Sequence, residues 1–321
     1  MPLRLEEMPR HDARTETMTD EKTLHWNAEG LWERLEPQLP GLSVEVVARI
    51  ASTNTALLER ARIASTPGAD NDAVVVRRSV ESGAFGRRSV DLQPCLLVAE
   101  HQTAGRGRQG RTWQAAPGAS LTFSLALPLA PHDWSGLSLA VGVALADALD
   151  PAGTNARRLG VKWPNDLWLM DGGIAGASGR KLGGILIETV AAGAHRLAVV
   201  GIGLNILPLE AAQATNGVAW VQELDPQANA PAVLARVAPA LVQALQRFER
   251  EGFAAFADAF AARDVLAGRA VRTTHPELPE GIALGVAADG ALRLQTPHGE
   301  RPLASGEVSV RLDAAGSDPP C

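Results

Sequence analysis

The chain has no tyrosine, two cysteines and only 4% aromatic residues among 321 positions. Without tyrosine, no phenol can act as acid, base or nucleophile. Cys95 and Cys321 provide neither a disulfide framework nor a four-cysteine zinc site, and this sparse usage suits a reducing cytosol. Long apolar runs are missing too. The richest, Leu137–Leu149, contains Asp147 and falls short of the roughly 20 residues a membrane span needs. The chain has no excess of positive charge: 30 Lys and Arg face 36 Asp and Glu, for a formal charge of −6. That balance argues against a broad nucleic-acid-binding face, although a local basic patch stays open. The N-terminus is charged where a signal peptide would be apolar. No Walker segment, internal repeat or low-complexity tract is present.

What is present is ordinary globular material, 46% apolar and 21% charged. The length suits about two domains of roughly 150 residues. Residues 1–22 are polar without apolar period and read as a disordered tail. From about Leu24 the chain carries enough Trp, Leu and Val to enter a fold. Thr53 to Ile63 has helical spacing, with Ser52 or Thr53 as cap. The stretch from Thr66 to Pro94 reads as a long loop or insertion, and Asp171 to Arg180 as a second one. CLLVAE, LTFSLALPL, KLGGILIETV and RLAVVGIGLNIL predict strands, SGLSLAVGVALADAL a helix, and GVKWPNDLWL strand, turn, strand. A helical, Ala-rich pattern runs from Pro231 to Leu266, and after Gly268 five short strands follow at close spacing. The fold class is therefore α+β, a mixed β-sheet flanked by helices with a small C-terminal β-barrel. The expected boundaries are a catalytic unit over 23–266, a β unit over 267–313 and a tail over 314–321.

Five segments carry candidate chemistry. Gly105-Arg106-Gly107-Arg108-Gln109-Gly110-Arg111 interleaves glycines, which let backbone approach a ligand, with arginine forks that match carboxylate or phosphate oxygens. Its amides can form an anion nest; its bland alternative is a solvated loop or an RNA contact. Lys162-Trp163-Pro164-Asn165-Asp166 sets a point charge and polar groups on a proline-fixed turn, or is simply a hairpin turn. Lys181-Leu182-Gly183-Gly184 starts a strand where another backbone or a ligand approaches closely. Gly201-Ile202-Gly203-Leu204-Asn205 ends an apolar strand, leaving Asn205 as ligand contact or turn residue. Ser52-Thr53-Asn54 caps a helix or holds a small polar ligand.

Taken in that order along the chain, these motifs resemble the biotin protein ligase family over roughly Val47 to Leu312. The resemblance implies a catalytic fold related to class II aminoacyl-tRNA synthetases with an SH3-like C-terminal domain. It implies activation of biotin by ATP and Mg2+ to biotinyl-5′-AMP, then transfer to one lysine of the biotin carboxyl carrier protein of acetyl-CoA carboxylase. Carried residue by residue, it implies Arg106, Arg108, Lys162, Lys181 and Asp166 as catalytic. Biotin falls to Ser52, Thr53, Asn54, Gln102, Arg106, Gly107, Arg108 and Lys181. ATP falls to Gly105, Arg106, Arg108, Arg111, Trp113, Asn165, Asn205 and Arg311, with Trp113 stacking on adenine. No dedicated metal ligands are expected. The two insertions lengthen connections without breaking a motif, and Thr103 stands where a second Gln can occur. Too few residues precede Val47 for the winged helix-turn-helix of some members, so no DNA binding is expected. A cytoplasmic enzyme without membrane contact, monomer or homodimer, follows. The rivals are a lipoate ligase of related fold and a noncatalytic RNA-binding module, the latter opposed by the acidic charge and scarce aromatics.

Overall fold

The computed structural model describes residues 24–64, 93–151, 157–175, 178–192, 195–208, 217–304 and 310–312. The expected tails over 1–22 and 314–321, and most of the insertion after Thr66, lie outside the described residues. The first unit is a seven-stranded sheet in the order β1-β2-β3-β7-β6-β5-β4. Its strands are β1 (Ser43–Ile50), β2 (Cys95–Gln102), β3 (Ser120–Pro128), β4 (Leu159–Lys162), β5 (Asp166–Met170), β6 (Gly179–Ala192) and β7 (His195–Asn205). Only β1 and β2 are parallel; every other neighbour is antiparallel.

Both faces of the central strands are buried, which is why CLLVAE and RLAVVGIG read as apolar runs without alternation. On one face Cys95, Leu97, Ala126, Leu197 and Val199 meet Leu57, Leu58 and Ala61 of α2 (Thr53–Ala64). On the other, Leu96, Val98, Phe123, Leu125, Val200 and Ile202 join the larger core with α1 (Ala28–Leu35), α3 (Leu137–Leu149) and α4 (Ala230–Glu251). Asn229 caps α4 by accepting from the Ala232 N–H at 3.0 Å. The helical pattern expected to reach Leu266 breaks earlier. Gly252 adopts φ 66°, and after it only a 3-10 turn and the short α5 (Ala257–Ala261) remain. The first helix and strand, α1 and β1, were not resolved as elements by pattern alone.

Arg263 is fully buried and fastens α3 to β4. Its guanidinium donates to Asp147 Oδ1 at 2.8 Å, to the Leu159 carbonyl at 2.7 Å and to the Asp150 carbonyl at 2.5 Å. The five C-terminal strands form their own antiparallel sheet: β8 (Ala270–Thr273), β9 (Glu280–Val286), β10 (Leu292–Thr296), β11 (Gly299–Leu303) and β12 (Val310–Leu312), in the order β11-β10-β9-β8-β12. It touches the first unit where the buried Trp163 indole donates to the Gly290 carbonyl at 3.0 Å. No described helix is long and apolar enough to cross a membrane.

Candidate active site

Strand register builds the site. On the face that carries α2, the core residues of β7 and β3 give way to small ones. Val199 pairs with Ala126, then Gly201 with Ser124, then Gly203 with Thr122. β6 continues the same rows, Leu186 opposite Gly201 and Gly184 opposite Gly203. Asp166 stands opposite Gly184, and Lys162 opposite Asp166. One row therefore crosses five strands as Thr122, Gly203, Gly184, Asp166 and Lys162. Two glycines in its middle leave a trough, and the charges stand at its far end.

A β-bulge adds the second lysine. Leu167 pairs with Gly183 but Trp168 pairs with Lys181, so Leu182 is the extra residue. With strict alternation Lys181 would share a face with Gly183, away from the trough. The bulge turns it back, and its Nζ reaches Asp166 Oδ1 at 2.8 Å. Lys162 is 8% exposed and sits 4.1 Å from the centre of the Trp168 ring. Burial lowers its pKa to about 8, against the pull of Asp166 and with the push of Lys181, Arg311 and Arg111.

Arg106 to Thr112 forms a short hairpin over the trough. Arg106 bridges to Thr112, and the three-residue turn Arg108–Gly110 carries Gln109 (φ 57°) and Gly110 (φ 68°) in the left-handed region. The Gly107 amide, a candidate for an anion nest, donates to the Arg111 carbonyl at 2.7 Å instead. Arg108 donates to Asn165 Oδ1 at 3.3 Å, and burial pulls its pKa below the usual guanidinium range while Asp166 opposes. Asn165 is itself held by its donation to the Ile185 carbonyl at 2.8 Å.

At the other end, Ser52 caps α2 by accepting from the Thr55 N–H at 3.4 Å. Gln102 Oε1 accepts from the Thr53 N–H at 2.7 Å. Ser124 Oγ lies 2.6 Å from both Thr53 Oγ1 and Asn54 Oδ1. A side chain at Gly201 would collide with Asn54, and one at Gly203 with the Trp113 indole. The Trp113 Nε1 is buried without a partner among the described residues.

The result is a cavity of about 250 Å³. Ser52, Thr53, Asn54, Gln102, Arg106, Gly107, Arg108, Arg111, Trp113, Lys162, Asn165, Asp166, Lys181 and Arg311 all line it, so all but two of the expected site residues converge. Gly105 lies behind the wall, where a Cβ would stand 2.5 Å from the Trp113 carbonyl. Asn205 is also behind it, its amide donating to the Ala219 carbonyl at 3.1 Å and the Lys181 carbonyl at 3.4 Å. Gly184, Gly201 and Gly203 belong to the wall and went unassigned; the i, i+2 spacing of Gly201 and Gly203 was the signal for them.

Residues 87–205 match the biotin/lipoate A/B protein ligase family, and residues 268–311 match the biotin protein ligase C terminal domain. The bifunctional ligase/repressor BirA of Escherichia coli (strain K12) is 32% identical over 280 residues, covering 85% of this chain and 76% of that protein. The biotin–[acetyl-CoA-carboxylase] ligase of Paracoccus denitrificans is 34% identical over 224 residues, covering 66% of this chain and 88% of its own length. Among solved structures, a biotin protein ligase from Aquifex aeolicus in complex with biotin and ATP superposes with a TM-score of 0.63 at 22% identity, covering 84% of this chain and 99% of that one.

Proposed function

The chain belongs to the biotin/lipoate A/B protein ligase family, and from that premise we propose that its cavity joins biotin to ATP. The enzyme activates biotin to biotinyl-5′-AMP with release of pyrophosphate, then transfers biotin to a lysine of the biotin carboxyl carrier protein of acetyl-CoA carboxylase. In the first step a biotin carboxylate oxygen bonds to the α-phosphorus as the bond to pyrophosphate breaks. In the second, the lysine amine bonds to the biotin carbonyl carbon and AMP leaves.

The observation that carries this reading is the meeting of Arg106, Arg108, Lys162 and Lys181 around one glycine-floored trough. Two anions must be brought into contact there, and fixed cations offset their repulsion. Removing one such preorganised donor typically costs about 2.7–4 kcal/mol of transition-state stabilisation, and holding both substrates in one cavity supplies much of the rest. In this reading Ser52, Thr53, Asn54 and Gln102 hold biotin. Lys181 takes its carboxylate and then the acyl phosphate. Arg106, Gly107 and Arg108 cover biotin and phosphate. Arg111, Asn165 and Arg311 serve ATP, with Trp113 as the adenine platform. Gly105 and Asn205 act from behind the wall, by letting the hairpin close on Trp113 and by fixing the backbone of Lys181. Asp166 orients the incoming lysine, whose amine has an unperturbed pKa near 10.4 and so needs a proton acceptor.

Magnesium fits as an ion carried in by ATP. Among the described residues no group of three or more His, Cys, Asp or Glu side chains converges, and Asp166 is the one carboxylate in the wall. That suffices for an ion that keeps several waters and takes one or two carboxylates beside phosphate oxygens. It would supply charge neutralisation on the phosphates. The reading further includes a cytoplasmic enzyme, monomer or homodimer, that takes no operator DNA; a salt-robust specific gel shift on an operator-like duplex would overturn the last point.

The test is ATP–pyrophosphate exchange with biotin, and with lipoate and octanoate as controls, on wild type and Arg106→Ala. Exchange with biotin alone, lost in the variant, is expected. Exchange with lipoate instead would move the protein to the sister activity. No exchange with any acid, in folded protein with magnesium, would refute the reading.

A further inference from the structure

Glu188 does not line the cavity, yet its carboxylate holds two residues that do. Its Oε1 pairs with Arg106 Nη2 at 3.1 Å, and its Oε2 accepts from Asn54 Nδ2 at 3.0 Å. Glu188 stands on β6 opposite Val199, one row beyond Leu186 and Gly201. There the glycine floor ends and the apolar seam under α2 begins. A carboxylate at such a boundary needs donors, and these are the side chains that supply them among the described residues.

The two contacts have different consequences. Asn54 Nδ2 is engaged by Glu188 and by the Leu186 carbonyl at 3.1 Å, so the amide is oriented with Oδ1 toward Ser124. Arg106 is otherwise held only by a 3.4 Å donation to Thr55 Oγ1 among its described contacts. Its side chain is 48% exposed, and a long arginine left free must be ordered when a ligand arrives. Glu188 restrains it beforehand and so pins the first arm of the hairpin to the sheet.

We propose that Glu188 is a positioning residue that couples the Asn54 end of the cavity to the Arg106 hairpin before substrate binds. The proposal rests on the reading of this cavity as the biotin–ATP site. Glu188 acts through its two partners and touches no reacting atom.

The test separates its two contacts. Glu188→Gln keeps an acceptor for Asn54 but loses the charge that holds Arg106; Glu188→Ala loses both. In Glu188→Gln, trypsin, without substrates, should cut after Arg106, Arg108 or Arg111 faster than in wild type by about two- to five-fold, the scale of a half-exposed ion pair. Cutting elsewhere should not change. In pyrophosphate exchange the same variant should raise KM for biotin by a similar factor of about two to five with kcat near wild type. Glu188→Ala should raise it further. In an Arg106→Ala background, where exchange is lost, Glu188→Gln should not speed trypsin cutting after Arg108 or Arg111 any further, because its partner is gone. The proposal fails if Glu188→Gln matches wild type in trypsin and KM, if its effect adds in full to that of Arg106→Ala, or if kcat falls while KM stays. Should Glu188→Ala not fold, Glu188→Gln carries the test. Absence of exchange in wild type would refute the biotin reading instead, and the trypsin comparison would still decide the role of Glu188.

Discussion

Replacing Lys162 by methionine should make the protein more stable and far less active. Lys162 is 8% exposed, and burial lowers its pKa from 10.5 to about 8. At about 1.36 kcal/mol per unit, that drop corresponds to about 3 kcal/mol by which the fold disfavours the charge at neutral pH. Methionine keeps the stem but gives up the contact with Trp168 at 4.1 Å, which contributes about 1–2 kcal/mol when desolvated. The expected net gain is about 1–2 kcal/mol. Asp166 keeps its bond to Lys181 in the variant. The gain has a pH signature. Between about 8 and 10.5 the unfolded chain binds the proton that the folded chain has released. Wild-type stability therefore rises through that window, and the advantage of methionine is largest below it and fades above. Urea denaturation of both proteins at about pH 7 and about pH 10 measures the gap. A methionine variant less stable at the lower pH, or a gap that does not move with pH, would refute the reasoning. Pyrophosphate exchange should meanwhile fall by about a hundred- to a thousand-fold, the usual loss for one donor aimed at developing charge.

Asp264 should show the opposite pH sense. Its Oδ2 is buried without a partner among the described residues, and burial raises its pKa from 3.8 to about 6, against hydrogen bonds from the Leu266 and Ala267 amides and the charge of Arg269. Its contribution is full below pH 3.8 and is lost as pH rises through about 6, a change of about 3 kcal/mol. Asp264→Asn should therefore unfold at a higher temperature than wild type above pH 6, with the gap closing near pH 4; equal melting at every pH would count against it. Gly203→Ala drives a methyl into the Trp113 indole and should raise KM for ATP by about ten-fold, equivalent to about 1.4 kcal/mol of forced displacement. An unchanged KM would mean that Trp113 does not serve adenine.

Most of the sheet was legible because its strands are buried on both faces. Cys95 to Gln102 follows a proline and opens with four apolar residues, and His195 to Asn205 carries Val199, Val200 and Ile202; both runs are short enough for a strand. The first elements were not legible. α1 is eight residues long, with Asn27 left-handed at its N-cap and no side-chain cap bond to announce it. In β1, Ser43 to Val46 are buried in succession and Val47 to Ile50 are half-buried or exposed, with no alternation to reveal a strand. The helical reading past Glu251 failed at Gly252, whose positive φ ends α4 although Phe253, Phe256 and Phe260 continue to supply buried anchors. Periodicity saw the apolar residues and not the break between them.

The site was legible as a set of motifs and illegible as a geometry. Local chemistry marks Lys162, Asp166 and Lys181 because the first two flank a Trp-Pro-Asn turn and the third stands two residues before a Gly-Gly pair. Which of them face one another is a matter of register, and register is fixed by pairings between strands far apart in sequence. Asp166 meets Gly184, and Gly184 meets Gly203, only because β6 lies between β5 and β7. Lys181 joins them only through the extra residue at Leu182, which nothing in Lys-Leu-Gly-Gly discloses. Glu188 was missed for a related reason. Seven residues beyond Lys181 by sequence, it would share neither face nor function with it in a regular strand. It shares the trough side with Gly184 and Leu186 in unbroken register against β7, close enough to hold Arg106 and Asn54. The one inserted residue brings Lys181 round to that same side, so the lysine of the trough and the carboxylate paired with the arginine above it meet on one face only in the folded sheet.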